Sequence, residues 1–353
     1  MIVFLGDIAV RDEQQAKAVT PLSVLHPVPF EFVVANLEGG LGGATDEAAS
    51  QSRLFNHPAI TEYLRQSRVR VVTLANNHAF DFGAPFARTL PLLDRIGTRA
   101  IGAGPNLAQA SEPVVVSHST GPVAFLGFGW RAIGCPQASA EAAGANPLEP
   151  DWVLECVRRT RRDLGPDVKL ALFCHWNYEL EVFPQPLHRE LAHAAVHAGA
   201  DLIVGCHSHC ISGVEQVNGR WIVYGLGNWL ISEDLRYPAR ADLELAFGWD
   251  PGTGAVRCDW YRYEPRALDV HWLGASHPDS CHRVKAATPF AGMSHADYRV
   301  WFRKNRRKTR LLPVFADIEA RRTNLLKQRW VEVRHGLIGV LRSVKLKGTE
   351  PRG

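Results

Sequence analysis

The chain has 353 residues, 46% hydrophobic and 22% charged, the composition of a globular protein long enough for a sizeable core. Seven cysteines at scattered positions exclude a disulfide framework, and no apolar run reaches the roughly 18 residues of a membrane span. The net charge of +4 is uneven: residues 299–353 carry 16 Lys and Arg against 4 Asp and Glu, and the remainder is acidic. Met1 runs into the short apolar stretch Ile2–Leu5 without a basic leader or a small-residue cleavage site, so a cytoplasmic location and reduced thiols are expected.

In chain order, strands are expected at 2–6, 32–36, 69–74, 99–102, 113–117, 122–128, 168–174, 201–206 and 220–226. Most are continuous apolar runs, which suits strands covered on both faces. Helices are expected at 58–66, 84–97, 149–163 and 186–198; the last has Leu187, Leu191, Ala194, Ala195 and Ala198 at helical spacing. Strands alternating with helices indicate a layered α/β fold. Residues 243–273 then alternate around Asp250-Pro251-Gly252-Thr253-Gly254, which reads as a hairpin with a turn of four or five residues and a further strand. Residues 274–296 read as loop, and the chain from Ala296 as basic helix. The expected division is a main domain over 1–275 and a basic, mainly helical extension over 276–353.

Ligands collect beyond the carboxyl ends of strands in α/β sheets. There the chain places Gly6-Asp7, Asn36-Leu37-Glu38-Gly39, Asn76-Asn77-His78 with Asp81, His175, His207-Ser208-His209, and Gly227-Asn228. Carboxylates and neutral imidazoles of this kind suit divalent Mn, Fe or Zn. His207 and His209 would share a face in a strand and could still converge in a following loop. Asn36 and Asn76 read as turn or backbone hydrogen-bonding residues. Gly227-Asn228 reads as a pocket wall or as a tight turn.

The order Gly-Asp, Asn-Leu-Glu-Gly, Asn-Asn-His, a lone His, Gly205-Cys206-His207-Ser208-His209 and Gly-Asn resembles the CapA family, the capsule polyglutamate synthesis proteins. Ala198–Gly205, Gly102–Ala110 and Val223–Trp229 support the match, which covers roughly residues 1–232. The resemblance implies a layered β-sandwich flanked by helices, similar to calcineurin-like metallophosphoesterases. It also implies one or two divalent ions. Asp7 and His209 would hold one ion, Glu38 would bridge, and Asn77, His175 and His207 would hold the second. His78 would be the catalytic proton donor, oriented by Asp81. A hydroxide generated on two metals about 3.5–4 Å apart would attack phosphorus in line. The superfamily's His two residues after the first Asp is Ala9 here, so the Asp7–His209 site is expected to be the weaker. Relatives often carry Gly-Arg soon after that Asp, where this chain has Val10-Arg11-Asp12.

Other residues carry simpler readings. Strand alternation turns Cys206 and Cys174 away from their neighbouring histidines. Trp176, Tyr178 and Glu179 line a cleft or pack. His57, His188, His193 and His197 are surface or core residues. The basic tail is a solvated helix, a helix packed on the acidic main domain, or a contact for phosphate, a polyanion or an anionic membrane. No nucleic-acid motif is present. The expected partner is a small or polymeric anionic substrate, and nothing in the sequence speaks to oligomeric state. Three functions fit: phosphoester hydrolysis, hydrolysis or transfer at an amide of γ-glutamyl type, and a non-catalytic accessory role in capsule synthesis.

Overall fold

The computed structural model describes residues 1–42, 53–83, 88–232, 243–264, 268–309 and 313–314, with positions 330, 333 and 337. Its main strands, in chain order, are β1 (Ile2–Ala9), β2 (Phe32–Leu37), β3 (Val69–Thr73), β4 (Arg99–Ile101), β5 (Val114–Val116), β6 (Val123–Gly129), β7 (Lys169–His175), β8 (Leu202–Cys206), β9 (Val214–Val217), β10 (Arg220–Val223), β11 (Asn228–Ile231), β12 (Leu243–Trp249), β13 (Val256–Glu264) and β14 (Asp269–Ser276). The first sheet runs β14-β13-β12-β1-β2-β3-β4, and β11 pairs with the end of β1. The second runs β9-β10-β8-β7-β6-β5. Parallel pairing dominates the centres, β1-β2-β3-β4 and β6-β7-β8-β10, and antiparallel strands complete the margins.

Side-chain alternation divides the core into layers. Ile2 and Phe4 of β1 meet Phe125, Phe173, Leu202 and Val204 of the second sheet in the space between the sheets. Val3 and Leu5 face the opposite way, under the helix α1 (Ile60–Gln66). On the far face of the second sheet, Leu170, Leu172 and Ile203 pack under α3 (Pro150–Leu164) and α4 (Pro186–Ala198). The arrangement is the expected helix-flanked sandwich. Burial on both faces explains why the central strands read as unbroken apolar runs.

All nine expected strands are present. The short β9 and β11 escaped notice because Glu215 and Gln216 interrupt one and Asn228 opens the other. The helix expected at 84–97 is α2 (Thr89–Arg95), and positions 84–87 lie outside the described residues. Helices α3 and α4 each begin with proline and end at a glycine of positive φ, Gly165 and Gly199. In the β12–β13 hairpin, Asp250 N–H bonds Ala255 O, leaving 251–254 to turn. The stretch expected as loop at 274–296 instead finishes β14 and forms α5 (His282–Ala287). Tertiary contact makes this helix: Val284 is buried, and Thr288 Oγ1 bonds both Val284 O and Val214 N–H.

The basic end of the chain packs in its described part. Helix α6 (His295–Asn305) starts at Ser294, whose side chain caps Asp297 N–H. Tyr298, Phe302 and Val314 join the core under α4, and Arg299 pairs with Glu190 at 2.7 Å. Helix α6 thus follows the reading of a helix packed on the main domain. Residues beyond 314, apart from 330, 333 and 337, lie outside the described set. Among the described residues, no helix is long and apolar enough to cross a membrane.

A buried polar knot joins these parts. The Arg189 guanidinium donates to Glu215 at 2.6 and 3.1 Å and to Met293 O at 3.0 Å. His193 and Tyr224 also bond Glu215, at 3.0 and 2.8 Å. Burial alone would raise the Glu215 carboxyl, but the His193 and Arg189 hydrogen bonds and the Arg189 charge outweigh it and hold it at about 2. That value lies below the ordinary 4.5 of the unfolded chain. The knot's contribution is therefore complete above about pH 4.5 and is lost as pH falls toward 2. Glu215→Ala leaves Arg189 buried without its anion and is expected to cost about 3–5 kcal/mol in urea unfolding at pH 7. The difference from wild type should shrink on acidification.

Candidate metal centre

The candidate residues gather where strands of both sheets end. Asp7 sits on β1 at a slip in pairing register with both neighbours. The slip requires Gly6, because a Cβ there would lie 2.0 Å from Gly227 O. Asp7 N–H bonds the same carbonyl at 3.1 Å. The Asp7 carboxylate is fully buried and accepts Asn36 Nδ2–H at 2.7 Å and His207 N–H at 3.3 Å. Asn76 donates to Asn36 Oδ1 and Leu37 O and accepts from Gly39 and His78 N–H. Asn76 therefore makes the expected backbone bonds, whereas Asn36 is spent on Asp7.

His175 is the last residue of β7. Its Nε2 lies 2.7 Å from Asn77 Oδ1 and 3.9 Å from Glu38 Oε1. The His175 and His207 ring centres are 4.7 Å apart. His207 and His209 follow β8 with left-handed backbones, φ +88° and +52°. Such conformations cost a non-glycine residue about 1–3 kcal/mol and persist only where surroundings fix them. Here they bring both rings back over the sheet ends. His209 Nδ1 lies 3.3 Å from Asp7 Oδ2 and 2.7 Å from Asn228 Oδ1. Asn228 is thus part of the site, which its sequence position had left open.

His78 and Asp81 form a pair at its edge. His78 Nδ1 is 2.7 Å from Asp81 Oδ2, which also accepts Leu54 N–H at 2.8 Å. Ala9 is buried in a small apolar cluster with Leu54 and Ile231. Arg11 lies over the Phe55 ring. Trp176 and Tyr178 pack in the core under α4, and Glu179 is exposed. His188 is wedged against Trp130 and Trp176, and burial depresses its pKa to about 3, so it is a core residue.

Among the described residues, three sets of donor atoms lie within 4.8 Å of one another: Glu38, His175 and His207; Asp7, Glu38 and His209; and Asp7, His175 and Cys206. Glu38 belongs to two of them. Among the described residues, neither of its buried carboxylate oxygens has a hydrogen-bond partner. Burial, then the charge of Asp7, push its carboxyl well above the ordinary range. Burial likewise raises Asp7 and drives His175 well below the usual imidazole value. A lone buried carboxylate is costly, and a cation is the partner that removes the cost. Oxygen and imidazole donors at this spacing fit a divalent ion.

Cysteine 206 needed inter-strand register to be placed. It pairs across the sheet with His175 and joins a donor set with Asp7 and His175. Its Sγ lies 3.1 Å from His175 Nδ1. Cys174 faces the opposite core. Asn56 was also missed: its amide bonds Glu38 O and Gly39 O and accepts Val10 N–H, fixing the backbone beneath Glu38.

The sequence model described as "Bacterial capsule synthesis protein PGA_cap" matches residues 1–233. The chain belongs to this family. It is 25% identical over 279 residues to the PGA biosynthesis protein CapA of Bacillus subtilis, covering 76% of this chain and 71% of that one. It is 29% identical over 172 residues to the capsule biosynthesis protein CapA of Bacillus anthracis, covering 48% and 42%. A probable polyglutamine synthesis accessory protein of Mycobacterium tuberculosis is 27% identical over 222 residues, covering 59% and 57%. The chain thus spans about half the length of the latter two. A solved structure similar to this family member is a putative 5'-nucleotidase from Staphylococcus aureus, at 11% identity and TM-score 0.41, covering 78% of this chain and 53% of that one.

Protein stripped of divalent ions by a chelator should show the cost of burying Glu38. In chelator-treated protein, Glu38→Gln is expected to raise stability at pH 7 by roughly 1–3 kcal/mol. The wild-type penalty appears as pH rises above about 4.5, where the unfolded chain ionises. Denaturant unfolding at pH 4.5 and pH 7 should show the gap between the two proteins widening with pH.

Proposed function

We propose that the protein is a metal-dependent hydrolase acting on phosphoesters. The observation that carries this reading is Glu38, a buried carboxylate shared by two overlapping donor sets with neither oxygen hydrogen-bonded among the described residues. Asp7, Glu38 and His209 would hold one divalent ion; Glu38, Asn77, His175 and His207 would hold a second. Bound there, such ions polarise a substrate oxygen and lower the pKa of water. The Ala9 position offers no donor to the first ion, so occupancy of the second set is expected to be tighter.

The chain's own residues supply orientation and proton transfer. Asp81 holds His78 through Nδ1, and its own second contact with Leu54 N–H stops it from turning. With Nδ1–H donated to Asp81, Nε2 of His78 is the atom that exchanges a proton with the departing oxygen. Asn228 does for His209 what Asp81 does for His78, fixing ring orientation from behind.

The relatives' capsule and PGA biosynthesis titles favour a second reading, in which an amide bond of an anionic polymer is the target. The same site would serve. Assay with Mn or Zn against generic phosphoesters and γ-glutamyl amides separates the two. Activity on phosphoesters that survives in His207→Ala/His209→Ala overturns the leading reading; cleavage of amides alone selects the second. His78→Ala is expected to lower kcat by roughly 10²–10⁴-fold and to leave metal content, measured by elemental analysis, unchanged.

A further inference from the structure

We propose that the C-terminal segment beginning near Met293, outside the family-matched region, positions the metal-binding loop, and that Glu181 is the residue coupling the two. The proposal rests on the metal-site reading above for its consequence, though the coupling itself is geometric.

The loop from Asn177 to Gln185 leaves β7 at His175 and turns through two left-handed residues, Asn177 at φ +73° and Leu180 at φ +60°. Leucine has no intrinsic reason to adopt that conformation. Two kinds of contact hold it. Within the loop, Asn177 Nδ2–H bonds Glu181 O and Phe183 O, and Gln185 Nε2–H bonds Asn177 Oδ1. Toward the site, Leu180 N–H donates to Ser208 O at 2.7 Å. Ser208 lies between His207 and His209, so this bond ties the loop to the backbone that bears both rings.

The C-terminal segment grips the same loop from outside. The Glu181 carboxylate, fully buried, accepts Arg307 N–H at 3.2 Å and Lys308 N–H at 2.9 Å. Tyr298 donates its hydroxyl to Pro184 O at 2.6 Å. Val314 N–H bonds Gln185 Oε1, and Leu187 N–H bonds Val314 O. Phe183 packs edge-on against Trp301, ring centres 4.8 Å apart. A carboxylate that accepts two backbone N–H groups from one distant segment fixes that segment's path strongly. The route from the tail to the histidines is continuous: Arg307 and Lys308 amides, Glu181, the strained loop, Leu180 N–H, Ser208 O. Glu181 touches no candidate ligand, so it is a positioning residue.

The test uses the full chain with Glu181→Ala, Glu181→Gln and, as a milder probe, Tyr298→Phe. Amide hydrogen exchange is followed at Leu180 and at 307–308, and Zn affinity is measured by chelator competition. In Glu181→Ala, exchange at Leu180 and at 307–308 should rise together, and Zn affinity should fall about tenfold or more. Glu181→Gln keeps one acceptor oxygen and should fall between the two. Tyr298→Phe should shift Leu180 in the same direction. Faster exchange at 307–308 with Leu180 and Zn affinity unchanged would overturn the proposal. Wild type that binds no Zn would sink the metal reading instead, and the Leu180 exchange would still decide the coupling.

Discussion

The molecule is organised around the burial of Glu38. A buried carboxylate with no hydrogen-bond partner among the described residues, set beside Asp7, has a high free energy in the ionised form. Among the described residues the surrounding chain gives it no hydrogen bond. It instead packs His175, His207 and His209 within reach and spends its amide side chains on fixing neighbours: Asn36 on Asp7, Asn56 on the Glu38 backbone, Asn228 on His209. A buried acid with no hydrogen bond among the described residues, set among imidazoles at donor distance, suits a cation.

Much of this could be read from residues because both-face burial leaves few polar side chains in the strands. Those that remain mark where the chain leaves the sheet, so Asp7, Glu38, His175 and His207 stood out. What periodicity cannot supply is the partner strand. Cys206 reaches His175 through the register between β7 and β8, which periodicity along one strand does not give. Asn228 opens a strand too short to show a pattern. The left-handed turns at His207 and His209 have no signature in a Cys-His-Ser-His-Cys run, and these turns are what converge the rings.

The basic end of the chain shows the opposite limit. Its charge suggests a solvated helix, but composition does not reveal that Tyr298 and Phe302 form a buried face. Nor does it reveal that Arg189, well inside α4, needs the carbonyl of Met293. The Arg189–Glu215 knot is legible only once β9 is placed, since Glu215 otherwise reads as a surface residue in a short polar strand. Ala9 is the reverse case. The substitution is plain in the sequence, and the fold explains how it is accommodated: Leu54 and Ile231 close over the position.

The two-part edge of β1 has a consequence for how the chain matures. Residues 2–4 of β1 pair with β12 and residues 7–9 with β11, strands made more than 200 residues later in the sequence. During synthesis β1 emerges with one side unpartnered until residues 228–249 follow. Its apolar run is an open template for any other strand in that interval. Closure of that side also seats Gly227 against Gly6, which sets the Asp7 backbone. The candidate centre and the protection of the nascent edge are therefore completed by the same late event, and folding is expected to be slow and dependent on long-range contacts.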